Sequence, residues 1–481
     1  MFNNQKIKTA VIWSSIEAIS TVLLSLISII YLARILHPED YGNVATAQII
    51  SSLIGLVFSF GLTEAIIQKK IINESIKETA FSISLIFAIG ALVVSVIILL
   101  LLYDLVNNPL IVYIFAFEIV GITTTILALV PTGLLLRELK TSALTKRTLI
   151  SKFLFFVVAI PLAISGYGVW SIVFANLAQN ISSMLLIFLA TREYLPKKLS
   201  INKIVFKELF LFGFYVMIEN IIWSVLSRVF SLLIASFHGT YALGLYNMAS
   251  RITDSVLAVL STIINRIALP LFSQVQDDLS KLHSIFYRAT KIFNFISMPA
   301  FSGMAITAKL WVPLVLGDNW IPVIPILQVI CIMNAIIYSR IFVGTAMKAV
   351  GQSKRFMILS IISATLSVIT VFITKNYSLL DTVGAWAVVR VLITIPIGIY
   401  LMYKVLSMGY YNQIRSVLGS SFNTIIMAIS LLLLNDSIIF YSDGKLLAFI
   451  VSMTIGISIY LISSFVISYL SIIFNKVIIK G

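Results

Sequence analysis

Long apolar stretches separated by short polar ones dominate this chain. Fourteen of them recur, at about 10–33, 43–67, 80–103, 110–136, 148–165, 168–191, 209–236, 244–270, 291–316, 322–347, 356–374, 382–404, 417–434 and 446–470. A helix needs about 20 mostly apolar residues to cross roughly 30 Å of hydrocarbon. The stretches are continuous and not alternating, which excludes the strands of a membrane barrel. The pattern predicts an all-α polytopic membrane protein with about 14 transmembrane helices. The gap at Gly166 is so short that the fifth and sixth spans form a tight hairpin. The first stretch is too long for a signal-peptide core and reads as the first span.

The polar segments set the orientation. Of 34 Lys and Arg residues, 26 fall in segments on the side of the N-terminus. Only Arg34, Lys309, Lys375 and Lys445 fall on the other. Basic loops stay cytoplasmic, so both termini are expected on the cytoplasmic side. Loops on the opposite side are short and hold no inserted domain. The longest internal polar segment, PKKLSINKIVFKEL from Pro196, mixes lysines with apolar residues at helical spacing and is expected to be an interfacial helix.

That segment divides two similar halves. IEAI at 16–19 returns as IENI at 218–221, and at the same offset of 202 Gly42 stands opposite Gly244. GVW at 168–170 resembles GAW at 384–386, and the pair Lys146–Arg147 resembles Lys354–Arg355. The expected organisation is an N-lobe at 1–195 (spans one to six) and a linker helix at 196–208. A C-lobe follows at 209–404 (spans seven to twelve), then spans thirteen and fourteen with the tail at 405–481. Six spans per half is even, so the halves share one orientation and relate by an axis along the membrane normal.

Composition agrees with a lipid solvent. Hydrophobic residues make up 60% and charged ones 11%, against roughly 25% charged in a soluble domain. The formal charge of +15 lies in short strings between spans, so it does not point to nucleic acid. Cys331 has no possible internal disulfide partner, and His37, His238 and His283 are scattered, without metal-ligand spacing. No phosphate-cradling glycine loop, metal cluster or paired acidic motif in a polar loop is present. No cofactor and no enzymatic activity are expected.

Ionisable residues inside spans are costly and usually face a bundle interior or a wet cavity. Counting along each span, Arg228, Arg390, Asp254, Glu118 and Glu219 fall roughly 14–15 Å from a membrane face, and Arg251, Arg340 and Glu17 roughly 10 Å deep. All four arginines lie in the second half. A guanidinium pairs bidentately with phosphate oxygens, so these four are the candidate site for a phosphorylated ligand. Plainer readings stand beside this one. Arg251 and Asp254 are i,i+3 and can neutralise each other. Glu118 or Glu219 can pair with Arg228 or Arg390 between helices, and Arg340 can snorkel to the inner face. Glu17, Glu118, Glu219 and Asp254 remain candidates for either ion coupling or structural pairing.

Several segments carry a resemblance. LARILHPEDYG at 32–42, FGLTEAIIQ at 60–68, SGYGVW at 165–170 and LGLYNMASR at 243–251 are similar to Wzx-type oligosaccharide flippases. So are NRIALPLFSQVQDD at 265–278, VLGDNWIPVIPILQ at 315–328 and KAVGQSK at 348–354. Those proteins form the polysaccharide transporter branch of a superfamily that also holds MATE exporters and the lipid II flippase. The resemblance covers nearly the whole chain. It implies two six-helix lobes around a central cavity, two extra C-terminal helices, and transport of undecaprenyl-diphosphate-linked oligosaccharides to the outer leaflet for O-antigen, capsule or exopolysaccharide. Arg251 lies in one matching segment, and Arg228 in the serine–arginine pair of span seven typical of the family. Relatives often carry an Asp after that pair; here 229–233 reads VFSLL, so no role of that Asp carries over.

The implied mechanism is alternating access: the arginine-lined cavity takes the sugar and diphosphate, the polyprenyl tail stays in lipid, and the lobes rock. Asn220, Asn247 and Asn294 are expected to contact sugars. H⁺ or Na⁺ is the expected coupling ion, and a polysaccharide polymerase and a chain-length regulator are the expected protein partners. The competing reading is a MATE-like exporter of small organic cations, which would call for an acidic cavity. A membrane glycosyltransferase is a further rival and would need catalytic carboxylates in a loop.

Overall fold

The computed structural model describes residues 4–69, 72–105, 108–138, 140–196, 198–263, 272, 278–350, 352–441 and 444–478. Among them every regular element is a helix. In chain order the α-helices are α1 Asn4–Ile35, α2 Pro38–Ser59, α3 Leu62–Gln68, α4 Glu74–Leu105, α5 Pro109–Leu127, α6 Leu129–Arg137, α7 Thr141–Ile164, α8 Trp170–Ala190 and α9 Lys203–Ile263. They continue as α10 Leu279–Ile306, α11 Ala308–Val315, α12 Val323–Ile337, α13 Phe342–Ala349, α14 Ser353–Thr374, α15 Leu379–Leu406, α16 Tyr410–Tyr441 and α17 Lys445–Ile478.

Helix starts follow from local chemistry. Pro38 and Pro109 open α2 and α5 at positions where the missing N–H costs nothing. Asp40 accepts from the His37 N–H (3.0 Å), and the Asn108 side-chain Oδ1 accepts from the Leu110 N–H (3.1 Å). At α15, Ser378 and Asp381 cap each other's backbone in a reciprocal box.

Among the described residues eleven segments are long and apolar enough to cross a membrane, or twelve when α10 and α11, bent by 76°, count as one. Three of these join two helices: α2 with α3, α5 with α6, and α12 with α13. α1 contributes a shorter apolar helix, Ile19–Ile35. Within α9, Arg228–Ala258 meets the criterion. Yet α9 has 61 residues, about 90 Å at 1.5 Å per residue, far more than one bilayer. It breaks at Gly239, whose φ of 84° and ψ of 172° suit only glycine. The predicted boundary between spans seven and eight falls at this break. Fourteen spans, with α1 and both arms of α9 each crossing, remain the proposed arrangement.

The chain forms two compact units, Met1–Asn247 and Met248–Gly481. In the first, α7 packs on α1 and α8, and α5 on α2, α4 and α8. Leu62, Ile66, Ile83, Val130, Leu134 and Leu209 form a shared apolar core. In the second, α10 packs on α12 and α16, α12 on α15, α14 on α15, and α16 on α17.

One contact in the first unit bears directly on the repeat. A Cβ on Gly42 would lie 1.8 Å from the Thr240 carbonyl oxygen, and one on Gly244 would lie 1.9 Å from that of Pro38. Pro38 matches Thr240 and Gly42 matches Gly244 at the offset of 202, so the contact is reciprocal between equivalent positions. That reciprocity is the signature of a two-fold relation. Only glycine permits backbones this close.

The linker departs from its expected form. Residues 198–202 are not helical, and the helix starts at Lys203 and runs without interruption into span seven. Side chains on α4 hold this piece: Ser200 Oγ donates to Glu78 (2.6 Å), and Thr79 Oγ1 accepts from the Asn202 N–H (3.1 Å). Lys69 pairs with Glu208 just beyond. The Thr79 bond satisfies a backbone N–H just ahead of the helix.

Candidate functional site

In the first unit Glu17, on α1, is held by α7. It accepts from Thr148 Oγ1 at 2.7 Å and from Thr145 Oγ1 at 3.2 Å. Arg147, between those threonines, interacts electrostatically with Glu17 and donates from Nη1 to Thr132 Oγ1 at 3.2 Å. Five residues along α7, Lys152 donates to Ser25 Oγ of α1 at 2.9 Å. A carboxylate, a guanidinium and an ammonium thus lie along one helix–helix seam. Sequence reasoning missed Arg147 and Lys152, because both count among the 26 basic residues assigned to the cytoplasmic side. The signal available was their place inside the helical register of α7.

Glu118, on α5, has a different setting. Its neighbour is an amide, Gln48 Nε2 of α2, which donates at 3.4 Å. The Asn180 amide of α8 lies over Gly121, one turn along α5. Among the described residues no Lys or Arg forms an ion pair with Glu118. Arg228, on the first arm of α9, is half-buried, and its Nε donates to Ser224 Oγ one turn back at 3.1 Å. The side chains of Glu219 and Asn220 lie outside the described residues, as does most of the stretch 264–277.

In the second unit Arg251 and Asp254 are both accessible on the second arm of α9. Asp254 interacts electrostatically with Arg390 of α15. The Arg390 guanidinium also lies 5.2 Å from the Trp386 ring centroid, one turn back, a favourable cation–π placement. The structure therefore sets Arg390 beside Trp386 and leaves Asp254 within electrostatic reach of it. Sequence reading had not included Trp386, although its i,i+4 spacing from Arg390 was visible.

Arg340 has another environment. It ends a short 3₁₀ turn, Tyr338–Arg340, between α12 and α13. It donates to Gln413 Oε1 at the start of α16, and Gln413 Nε2 donates to the carbonyls of Met408 (2.8 Å) and Ile399 (3.3 Å). Next to it, the Asn294 amide donates to the Ser339 carbonyl at 3.1 Å. Asn294 is fully buried in this contact.

Comparison with known proteins follows from this arrangement. A family model described as "Polysaccharide biosynthesis protein" matches residues 31–325. The chain belongs to that family. A membrane protein encoded in the cps region of Klebsiella pneumoniae is 26% identical over 331 residues, covering 67% of each chain. The lipopolysaccharide biosynthesis protein WzxC of Escherichia coli K12 is 24% identical over 439 residues, covering 87% of this chain and 82% of its own. Among solved structures, the lipid II flippase MurJ in an inward closed conformation superposes with a TM-score of 0.73. It covers 96% of this chain and 99% of its own at 16% identity, a likeness of fold.

Proposed function

We propose that the protein carries undecaprenyl-diphosphate-linked oligosaccharides from the cytoplasmic to the outer leaflet by alternating access. The observation that carries this reading is the balance of charge on the spanning helices of a chain in a polysaccharide biosynthesis family. Arg228, Arg251, Arg390 and Arg340, joined by Arg147 and Lys152, outnumber the carboxylates Glu17, Glu118, Glu219 and Asp254. A lipid-linked diphosphate is anionic, and a guanidinium offers it paired, charge-assisted hydrogen bonds. Such pairing offsets the cost of taking the head group through a low-dielectric interior.

Roles differ among these groups. Arg228 and Arg390 are the proposed diphosphate ligands, because neither has its guanidinium fully engaged by the bonds described above. Arg251 stands one turn from Asp254 on an accessible face and is the third. Arg340 is the weakest candidate, since its guanidinium is directed to Gln413. Glu118, amide-partnered and without an ion pair, is the proposed coupling carboxylate for H⁺ or Na⁺. Glu17 is given a structural role, clamped by two hydroxyls.

The test is complementation of a strain lacking its own flippase, with lipid-linked repeat units quantified in each leaflet. Each charge-assisted bond is worth roughly 1.5–3 kcal/mol. Arg228→Ala and Arg390→Ala are therefore each expected to lower flux roughly 10–100-fold. Normal flux through both variants would remove the diphosphate assignment. Dye efflux without glycan export would replace it with cation export.

A further inference from the structure

The turn between α15 and α16 carries a cluster that transport does not use. It is clamped from several sides. Ser407 holds a left-handed conformation (φ 54°), and Met408 behind it is fully buried. Gln413 bonds the carbonyls of Met408 and Ile399, Arg340 bonds Gln413, and His283 Nε2 donates to the Leu406 carbonyl at 2.6 Å. A turn tied from α10, the 3₁₀ turn before α13, and α16 is a rigid platform.

On its outer side lie four tyrosines and two cations. Tyr403 and Tyr410 stack across the turn, with centroids 4.5 Å apart and planes at 23°. Lys404 Nζ lies 5.5 Å above the Tyr400 ring, and the Arg415 guanidinium 6.0 Å from that of Tyr411. The four tyrosines are 45–70% exposed. Among the described residues neither Lys404 nor Arg415 forms an ion pair with a carboxylate. Two cations are thus held on aromatic shelves, uncompensated, with phenol hydroxyls around them as donors.

Below this cluster the surface turns apolar along one line. Leu418, Phe422, Ile425 and Ile429 follow Arg415 at alternating steps of three and four, each 52–56% exposed. That spacing is one face of a helix. A charged, donor-rich end continuing into an apolar stripe matches an amphiphile with a phosphate head. On the proposed topology this end faces the cytoplasmic leaflet, where anionic lipids attract juxtamembrane Lys and Arg. Stacked tyrosines at this depth fit the head-group level.

We propose that the α15–α16 turn binds the phosphate head group of an anionic phospholipid, with an acyl chain along the Leu418–Ile429 stripe. The inference does not rest on the transport reading, since the occupant is a resident lipid and not the cargo.

The full-length protein in phosphatidylcholine nanodiscs containing phosphatidylglycerol tests it, with retained lipids counted by native mass spectrometry. Each basic residue near a membrane surface favours anionic lipid by about 1 kcal/mol, or fivefold. Lys404→Gln with Arg415→Gln is expected to lower the preference for phosphatidylglycerol roughly 10–30-fold. Arg415→Lys should retain most of it, and an unchanged thermal transition would report that the variants are folded. Equal retention of both lipids by the wild type would overturn the proposal, as would a double variant with undiminished preference. A parallel arm replaces phosphatidylglycerol with undecaprenyl diphosphate. Selective retention of that lipid alone would make the turn an entry point for cargo and remove the phospholipid assignment.

Discussion

Glu17 illustrates how an intramembrane carboxylate is tolerated. Two threonine hydroxyls, one turn apart on α7, point at its two oxygens, and Arg147 supplies compensating charge nearby. Hydrogen bonds to a charged group are worth roughly 1.5–3 kcal/mol, and leaving their partners unsatisfied costs comparably. Glu17→Ala is therefore expected to lower stability by roughly 2–3 kcal/mol. Glu17→Gln keeps one acceptor for Thr148 and should lose about half as much. Thermal unfolding of the detergent-purified variants measures both, and equal losses would contradict the clamp. The residue's depth was legible in the sequence. Its partners were not, because α1 and α7 are more than a hundred positions apart along the chain.

At the scale of elements, the contact of α2 with α9 is the most exacting. Each of Gly42 and Gly244 faces a backbone carbonyl that no added methyl can coexist with. Overpacking at such a point costs about 1–3 kcal/mol. Gly42→Ala and Gly244→Ala are each expected to show a loss of that size. Once one methyl has separated the helices the second meets less resistance, so the double variant should lose less than the sum. Strict additivity in a thermal-shift cycle would argue against a shared contact.

The start of α10 provides a second element-level case. The Lys281 backbone N–H, then its side chain and the Ser280 hydroxyl, hold the Asp278 carboxyl well below the usual carboxylate range. A depressed carboxyl contributes above its unfolded value, near 3.9, and loses that contribution only as pH falls through the lower folded value. Protection of the first-turn amides of α10 against hydrogen exchange, corrected for intrinsic rates, should stay flat from about pH 8 to pH 5. Asp278→Asn should preserve it and Asp278→Ala should lower it. A decline between pH 7 and pH 5 would show that another group governs this end.

For the molecule as a whole, orientation is the property most exposed to test. With Cys331 replaced by serine, Asn376→Cys is expected to react with a membrane-impermeant maleimide in intact cells, whereas Leu199→Cys should react only after lysis. The opposite pattern would invert the topology and the proposed direction of transport. The sequence determined the solvent, the helical class and the asymmetry of basic loops, because hydropathy and charge act locally and a span must satisfy its own backbone wherever it lies. It also showed Gly42 opposite Gly244 at the offset of 202. Tertiary structure alone decided which charges meet. It set Asp254 within electrostatic reach of Arg390, turned Arg340 toward Gln413, and tied Arg147 and Lys152 into the seam of α1 and α7. It also left 198–202 out of the helix and tied that segment to α4. Pairings of this kind depend on the rotation and crossing of helices distant in sequence, and such geometry leaves no periodic trace along the chain.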